Sequence, residues 1–177
     1  MNPKDYHFVP HTHNDLGWQK TIDEYQSEVI DSILNSSIDT MTEQPDKKFT
    51  YCNVGFLANY LREHPDRLTN LQKLVQKESM YIVNGGIAVH DNACSHYEDI
   101  ITNYEHGRHL VKSWFGINTK IGWLIDPFGH SQTTTRIFKE LGYSYYVLNR
   151  ISTIQKANLA KSSDFLYKWR NRGFKYR

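Results

Sequence analysis

The sequence predicts an α/β fold built on a parallel sheet, and two observations carry that prediction. Short β-prone runs alternate with longer segments of helical period along most of the chain. Such alternation argues for parallel strands joined by right-handed crossovers, either as an open doubly wound sheet or as part of a closed barrel. The second observation is where the reactive side chains fall. Phe8 to Trp18 and Ile121 to His130 each read as a strand that stops and hands His or Asp to the loop beyond it. In α/β folds that edge of the sheet is where active sites are built.

The elements follow in order. Tyr6 to Pro10 reads as the first strand. Ile22, Tyr25, Val29, Ile30 and Ile33 recur at helical spacing and predict a helix over Thr21 to Leu34. Gln44-Pro45-Asp46 breaks the chain, and Phe49 to Val54 is short and β-prone. Phe56 to Arg62 reads as helical. Pro65 suits the first turn of a further helix reaching Lys77, with Leu68, Leu71, Leu74 and Val75 on one face. A strand at Met80 to Val83 ends at Gly85-Gly86, and a helix is expected from Tyr97 to Trp114. Ile121 to Ile125 is the fourth strand, Thr134 to Leu141 a helix stopped by Gly142, and Tyr145 to Leu148 the fifth strand. The tail, Tyr167 to Arg177, is basic and aromatic and gives no end-of-domain signal.

The totals narrow the class. A chain of 177 residues suffices for one domain with a real core. Its net charge is only +2, with 21 Lys plus Arg against 19 Asp plus Glu, so nothing argues for nucleic acid as a partner. Two cysteines do not make a disulfide framework. No apolar run is long enough to span a membrane, and Met1 to His7 lacks the apolar core of a signal peptide. Aromatic residues reach 14%, with 12 Tyr; most are expected in the core, although aromatics also line carbohydrate pockets.

A parallel sheet brings its strand ends to one edge, so His11, His13, Asp15, Asp91, His96, Asp126, His130, Asn149 and Arg150 are expected on one rim. In extended chain, residues i and i+2 point the same way. Either His11 with His13, or His13 with Asp15, is therefore placed to grip one metal ion, and imidazole with carboxylate suits zinc. The competing reading makes these residues helix caps or loop hydrogen-bonders. Gly17 permits close backbone approach, and Trp18 offers an indole face to a sugar. Asp126 precedes Pro127, which favours an extended Asp, and a carboxylate beside a cation stays ionised. That suits a metal ligand, a nucleophile or both; the alternative is a cap for a helix beginning near Ser131. His90, His96, His106, His109 and His130 read as surface or satisfied core histidines.

At these residues the chain resembles glycoside hydrolase family 38, the class II α-mannosidases of lysosomal and Golgi type. The family's His-x-His-Asn-Asp-x-Gly-Trp stands here as His11 to Trp18, and its Ile-Asp-Pro-Phe-Gly-His-Ser as Ile125 to Ser131. The resemblance covers nearly the whole chain. It implies that residues 1–177 are the N-terminal portion of a β/α barrel-like catalytic domain, incomplete at its C-terminus. It implies zinc held by His13, Asp15 and Asp126, with Asp126 also the nucleophile, and Trp18, Phe128 and Arg150 around the bound sugar. The implied reaction is retaining hydrolysis of α-mannosidic bonds in N-glycans, in a lysosome or secretory compartment. The family's acid/base Asp and a fourth zinc ligand, a His, lie downstream, so the isolated chain is expected to show little or no turnover. The chain departs from the family pattern at Asn53 and Asn92, where relatives carry Glu, and at Ile87, where they carry Trp. Two other readings remain at this level: a metallohydrolase of amidohydrolase or deacetylase type that uses His11 as a ligand, and a sugar-binding remnant without activity.

Overall fold

The computed structural model describes residues 7–162 and 165–169. The chain opens with α1 (Ile22–Tyr25), runs without a break through a π-helical turn at Gln26–Ile30, and continues as α2 (Asp31–Glu43). Thr21 and Glu24 start it with a reciprocal capping box. The helix runs nine residues past the end expected at Leu34. Asn35, Ser36, Ser37, Asp39 and Thr40 are weak helix formers, but Leu34, Ile38 and Met41 keep the apolar stripe going and are buried. Burial outweighs propensity there.

β1 (Phe49–Tyr51) leads into α3 (Val54–Glu63), then a 3₁₀ turn at Pro65–Arg67, α4 (Leu68–Gln76) and β2 (Met80–Ile82). α5 (Tyr97–Phe115), β3 (Ile121–Leu124), α6 (Gln132–Glu140), β4 (Tyr145–Leu148) and α7 (Thr153–Ser162) complete the order. The helices at Phe56 to Arg62, Pro65 to Lys77 and Tyr97 to Trp114 are present within a few residues. Ser131 caps α6 by accepting from Thr133 N at 3.0 Å, so α6 starts earlier than Thr134. Gly116 and Gly142, at φ +71 and +80, turn the chain just past α5 and α6.

The strands pair in parallel, β1 with β2 and β3 with β4. One residue joins the two pairs. Asn84 (φ +60) donates from its backbone N to Ile121 O at 2.7 Å, and its Oδ1 accepts from Trp123 N and the Tyr104 hydroxyl. Its carbonyl also takes the Tyr143 hydroxyl. The first expected strand does not form over residues 7–10; Tyr6 lies outside the described residues. Contact with β1 is limited to a bridge between His11 and Thr50, supported by Thr50 N donating to Pro10 O at 2.9 Å. Pro10 has no N–H to extend the ladder, and Phe8 is exposed.

The main core lies where α2, α3 and α4 pack on β1 and β2, around Ile30, Leu34, Phe56, Leu57, Tyr60 and Leu71. A second cluster packs α5 on α6 through Tyr104 and Phe138, and a third, Cys52, Val83 and Trp123, fills the join between the strand pairs. Gly107 lets α5 approach the β2 loop: a Cβ there would meet Gly85 O at 2.3 Å. Among the described residues, no helix is long and apolar enough to cross a membrane.

Candidate metal and carbohydrate site

Loops beyond the strand ends carry the candidate residues. The 11–18 loop follows the His11–Thr50 bridge and is tied down by its own polar groups. Gly17 N donates to Asp15 O at 2.8 Å, Thr12 Oγ1 donates to Asn14 Oδ1 at 2.7 Å, and buried Asn53 donates from Nδ2 to Asn14 O. A Glu at position 53 has no proton for that last bond at neutral pH, so the amide matches its partner as it stands. The backbone amides of Val54 and Gly55, which open α3, donate to the carbonyls of Gly86 and Ile87. The free N–H groups of that helix terminus thereby hold the β2 loop beneath the site.

Three of the expected residues converge. His13 Nε2 lies 3.4 Å from Asp15 Oδ1 and 3.7 Å from Asp126 Oδ2, and one ligand atom from each falls within 4.8 Å of the others. Both imidazole nitrogens of His13 are shielded from solvent and have no hydrogen-bond partner. Two ligands sharing a tetrahedral zinc sit roughly 3.3 Å apart, so modest side-chain rotation closes this group on one ion. An orphaned imidazole facing two carboxylates fits a divalent cation in donor type and spacing.

Asp126 does not cap α6, since Ser131 does. Its Oδ1 instead accepts from Arg150 Nε at 2.9 Å and from Nη2 at 2.5 Å, so the β4 end grips the β3 end. The Arg150 guanidinium also lies over the Phe128 ring at 4.9 Å. Phe128 and Trp18 are 69% and 76% exposed. Among the described residues, Trp18 makes no ring or side-chain hydrogen-bond contact with the other candidates; it stands past Gly17, at φ +90. His11 points elsewhere. Its ring packs edge-on against Trp123 at 5.3 Å and is not part of the group.

The remaining histidines behave as core or supporting groups. His90 is buried between the Tyr104 hydroxyl at 3.1 Å and Thr134 Oγ1 at 3.4 Å, and burial pushes its pKa down to about 4. His130 meets the Tyr146 hydroxyl at 2.6 Å, and burial lowers its pKa as well. Asn92 accepts from Thr134 Oγ1 and from Ser131 N, fastening the loop after β2 to the start of α6. A cavity of about 730 Å³ beside the site is lined by His130, Arg150, Ile151, Leu159, Tyr167 and Trp169, among others. Sequence reasoning missed α7, which forms one wall. Its apolar residues follow no stripe and none is buried, so periodicity carries no signal there.

Comparison with known proteins shows the family. The family model described as glycosyl hydrolases family 38 N-terminal domain matches residues 4–173. Alpha-mannosidase C of Dictyostelium discoideum is 37% identical over 144 residues, covering 81% of this chain and 13% of its own. The lysosomal alpha-mannosidase of the same organism is 33% identical over 174 residues, covering 93% and 17%. The chain thus spans under a fifth of the length of these relatives. In structure, an alpha-mannosidase from Enterococcus faecalis superposes with a TM-score of 0.70 at 20% identity, over 79% of this chain and 16% of that one, which shows a shared fold. The chain belongs to glycosyl hydrolase family 38.

Proposed function

We propose that the chain contributes the zinc-binding half of a retaining α-mannosidase site acting on mannose-containing N-glycans, in a lysosome or secretory compartment. The observation that carries the reading is the His13 imidazole, shielded and unpartnered, turned toward Asp15 of its own loop and Asp126 beyond β3. In this reading His13, Asp15 and Asp126 hold the ion. Zinc, when bound, supplies a Lewis-acid anchor for sugar hydroxyls. Trp18 and Phe128 offer apolar faces to the ring, and Arg150 fixes the carboxylate of Asp126.

Asp126 is the proposed nucleophile. An Asp126 oxygen forms a bond to the anomeric carbon as the bond to the leaving oxygen breaks, and an acid/base carboxyl protonates that oxygen. Water then releases the sugar with configuration retained, the two carboxyls standing about 5–5.5 Å apart. We assign the acid/base and a fourth zinc ligand to the rest of a longer catalytic domain. The all-parallel pairing and the exposed Tyr145 of β4 support reading these strands as part of a closed β/α barrel that this domain completes.

The test is covalent trapping of the mannosyl-enzyme from an activated α-mannoside, read by mass spectrometry. A mannosyl adduct on the peptide carrying Asp126, absent in Asp126→Asn, is the expected result. An adduct on another residue, or binding without turnover in the complete enzyme, overturns the assignment.

A further inference from the structure

At the far end of α3 from the candidate site lies a second cluster of metal-ligating side chains. Asp31 opens α2, Glu63 is the last residue of α3, and His64 is its C-cap. One ligand atom from each falls within 4.8 Å of the others. His64 Nε2 stands 3.7 Å from Asp31 Oδ2, is shielded from solvent and has no hydrogen-bond partner. α3 runs from Asn53, beside the first site, to this cluster, and its ten residues rise roughly 15 Å.

The backbone builds this pocket for a reason. In the π-helical turn the Asp31 N–H bonds to Gln26 O, a separation of five residues. That geometry stacks residue i over i+5, and Gln26 Nε2 duly donates to Asp31 Oδ1 at 2.7 Å. One oxygen of Asp31 is thereby fixed and the other turned to His64. Single π turns inside α-helices tend to mark functional positions. Gln26 is 2% exposed, yet the Oε1 of the amide that contacts Asp31 has no partner. The hydroxyl of Tyr51, 1% exposed and within electrostatic reach of Asp31, has none either. Buried polar atoms are usually paired in folded proteins. The carbonyl end of α3 further favours positive charge. An exposed guanidinium, Arg62, lies 3.5 Å from Glu63 Oε1 and competes for that carboxylate.

The geometry points to a zinc site formed by Asp31, Glu63 and His64, joining the start of α2 to the end of α3. One imidazole and two carboxylates form a three-ligand set suited to zinc.

The test uses a His13→Ala background, which disables the first site, so its outcome is independent of the mannosidase reading. Zinc added to this variant is expected to remain at one equivalent per chain after gel filtration. It should also raise Tm by about 5–10 °C at a hundredfold excess over Kd. Cobalt(II) should give the visible absorption of a low-coordinate N,O site. Adding His64→Ala should abolish all three signals, and the surface substitution Glu63→Gln should weaken zinc binding at least tenfold. If the pocket holds only water, or only an ion pair between His64 and Asp31, zinc leaves Tm unmoved and the inference fails. Retained zinc that is insensitive to both substitutions also overturns it.

Discussion

Arg150 holds one carboxylate oxygen of Asp126 through two nitrogens and leaves the other oxygen facing His13. The bond crosses from the end of β4 to the end of β3, so the orientation of the key carboxylate depends on strand pairing. Lysine keeps the charge but loses the fork that fixes the geometry. Arg150→Lys is expected to lower kcat of the complete enzyme by about a hundredfold, the scale of a 1 Å misplacement of a reacting group. Steady-state kinetics checks this; a change confined to KM would mean that Arg150 only binds substrate.

The two histidines of the first motif are expected to behave differently. His13→Ala should release one equivalent of zinc, measured by elemental analysis, because it removes the imidazole between the two carboxylates. His11→Ala should leave the zinc content unchanged and cost about 0.5–1.5 kcal/mol of stability through the lost edge contact with Trp123. The opposite pattern would restore the reading in which His11 is the ligand.

Acid should weaken the fold through His90. Burial holds its folded-state pKa at about 4, below the value of about 6.5 expected in the unfolded chain. As pH falls, the unfolded chain takes the proton first. The contribution of the neutral ring is complete above about pH 6.5 and is lost between there and pH 4, by about 3 kcal/mol in all. Denaturant titrations across this window should show the slope, and His90→Phe should flatten it. The Tyr104 hydroxyl would keep its bond to Asn84 in that variant.

Gly107→Ala should destabilise the protein by about 1–3 kcal/mol, the usual cost of overpacking, or somewhat more. The added carbon would press on backbone, the Gly85 carbonyl and Gly86, which cannot rotate away. Urea unfolding would measure the loss. A neutral result would mean that α5 slides easily over the β2 loop.

Much of the scaffold was readable because apolar spacing reports burial directly. The stripe Leu68, Leu71, Leu74 and Val75 marked α4, and the run Ile121 to Leu124 marked β3. The first strand was over-read: Phe8 and Val9 look β-prone, but pairing is a long-range event, and Pro10 withholds a donor. The π turn was invisible, since a shift from i+4 to i+5 bonding at Gln26 leaves the residue pattern almost unchanged. Within the site, spacing offers His13 with either His11 or Asp15 and does not choose between them; the approach of Asp126 to His13 needs the fold. The grip of Arg150 on Asp126, and the orphaned state of His13, are products of how the strand ends meet.

Asn84 gives that meeting a mechanical meaning. Among the described residues the strand pairs share no continuous ladder; Asn84 links them by hydrogen bonds, and Cys52, Val83 and Trp123 pack across the join. His13 and Asp15 ride on one side of this seam, Asp126 and Arg150 on the other. The aperture between them is thus set by side chains meeting across a seam rather than by one continuous sheet. An ion drawing the three ligands together would act as a rivet across the joint, making the opening self-tightening once filled.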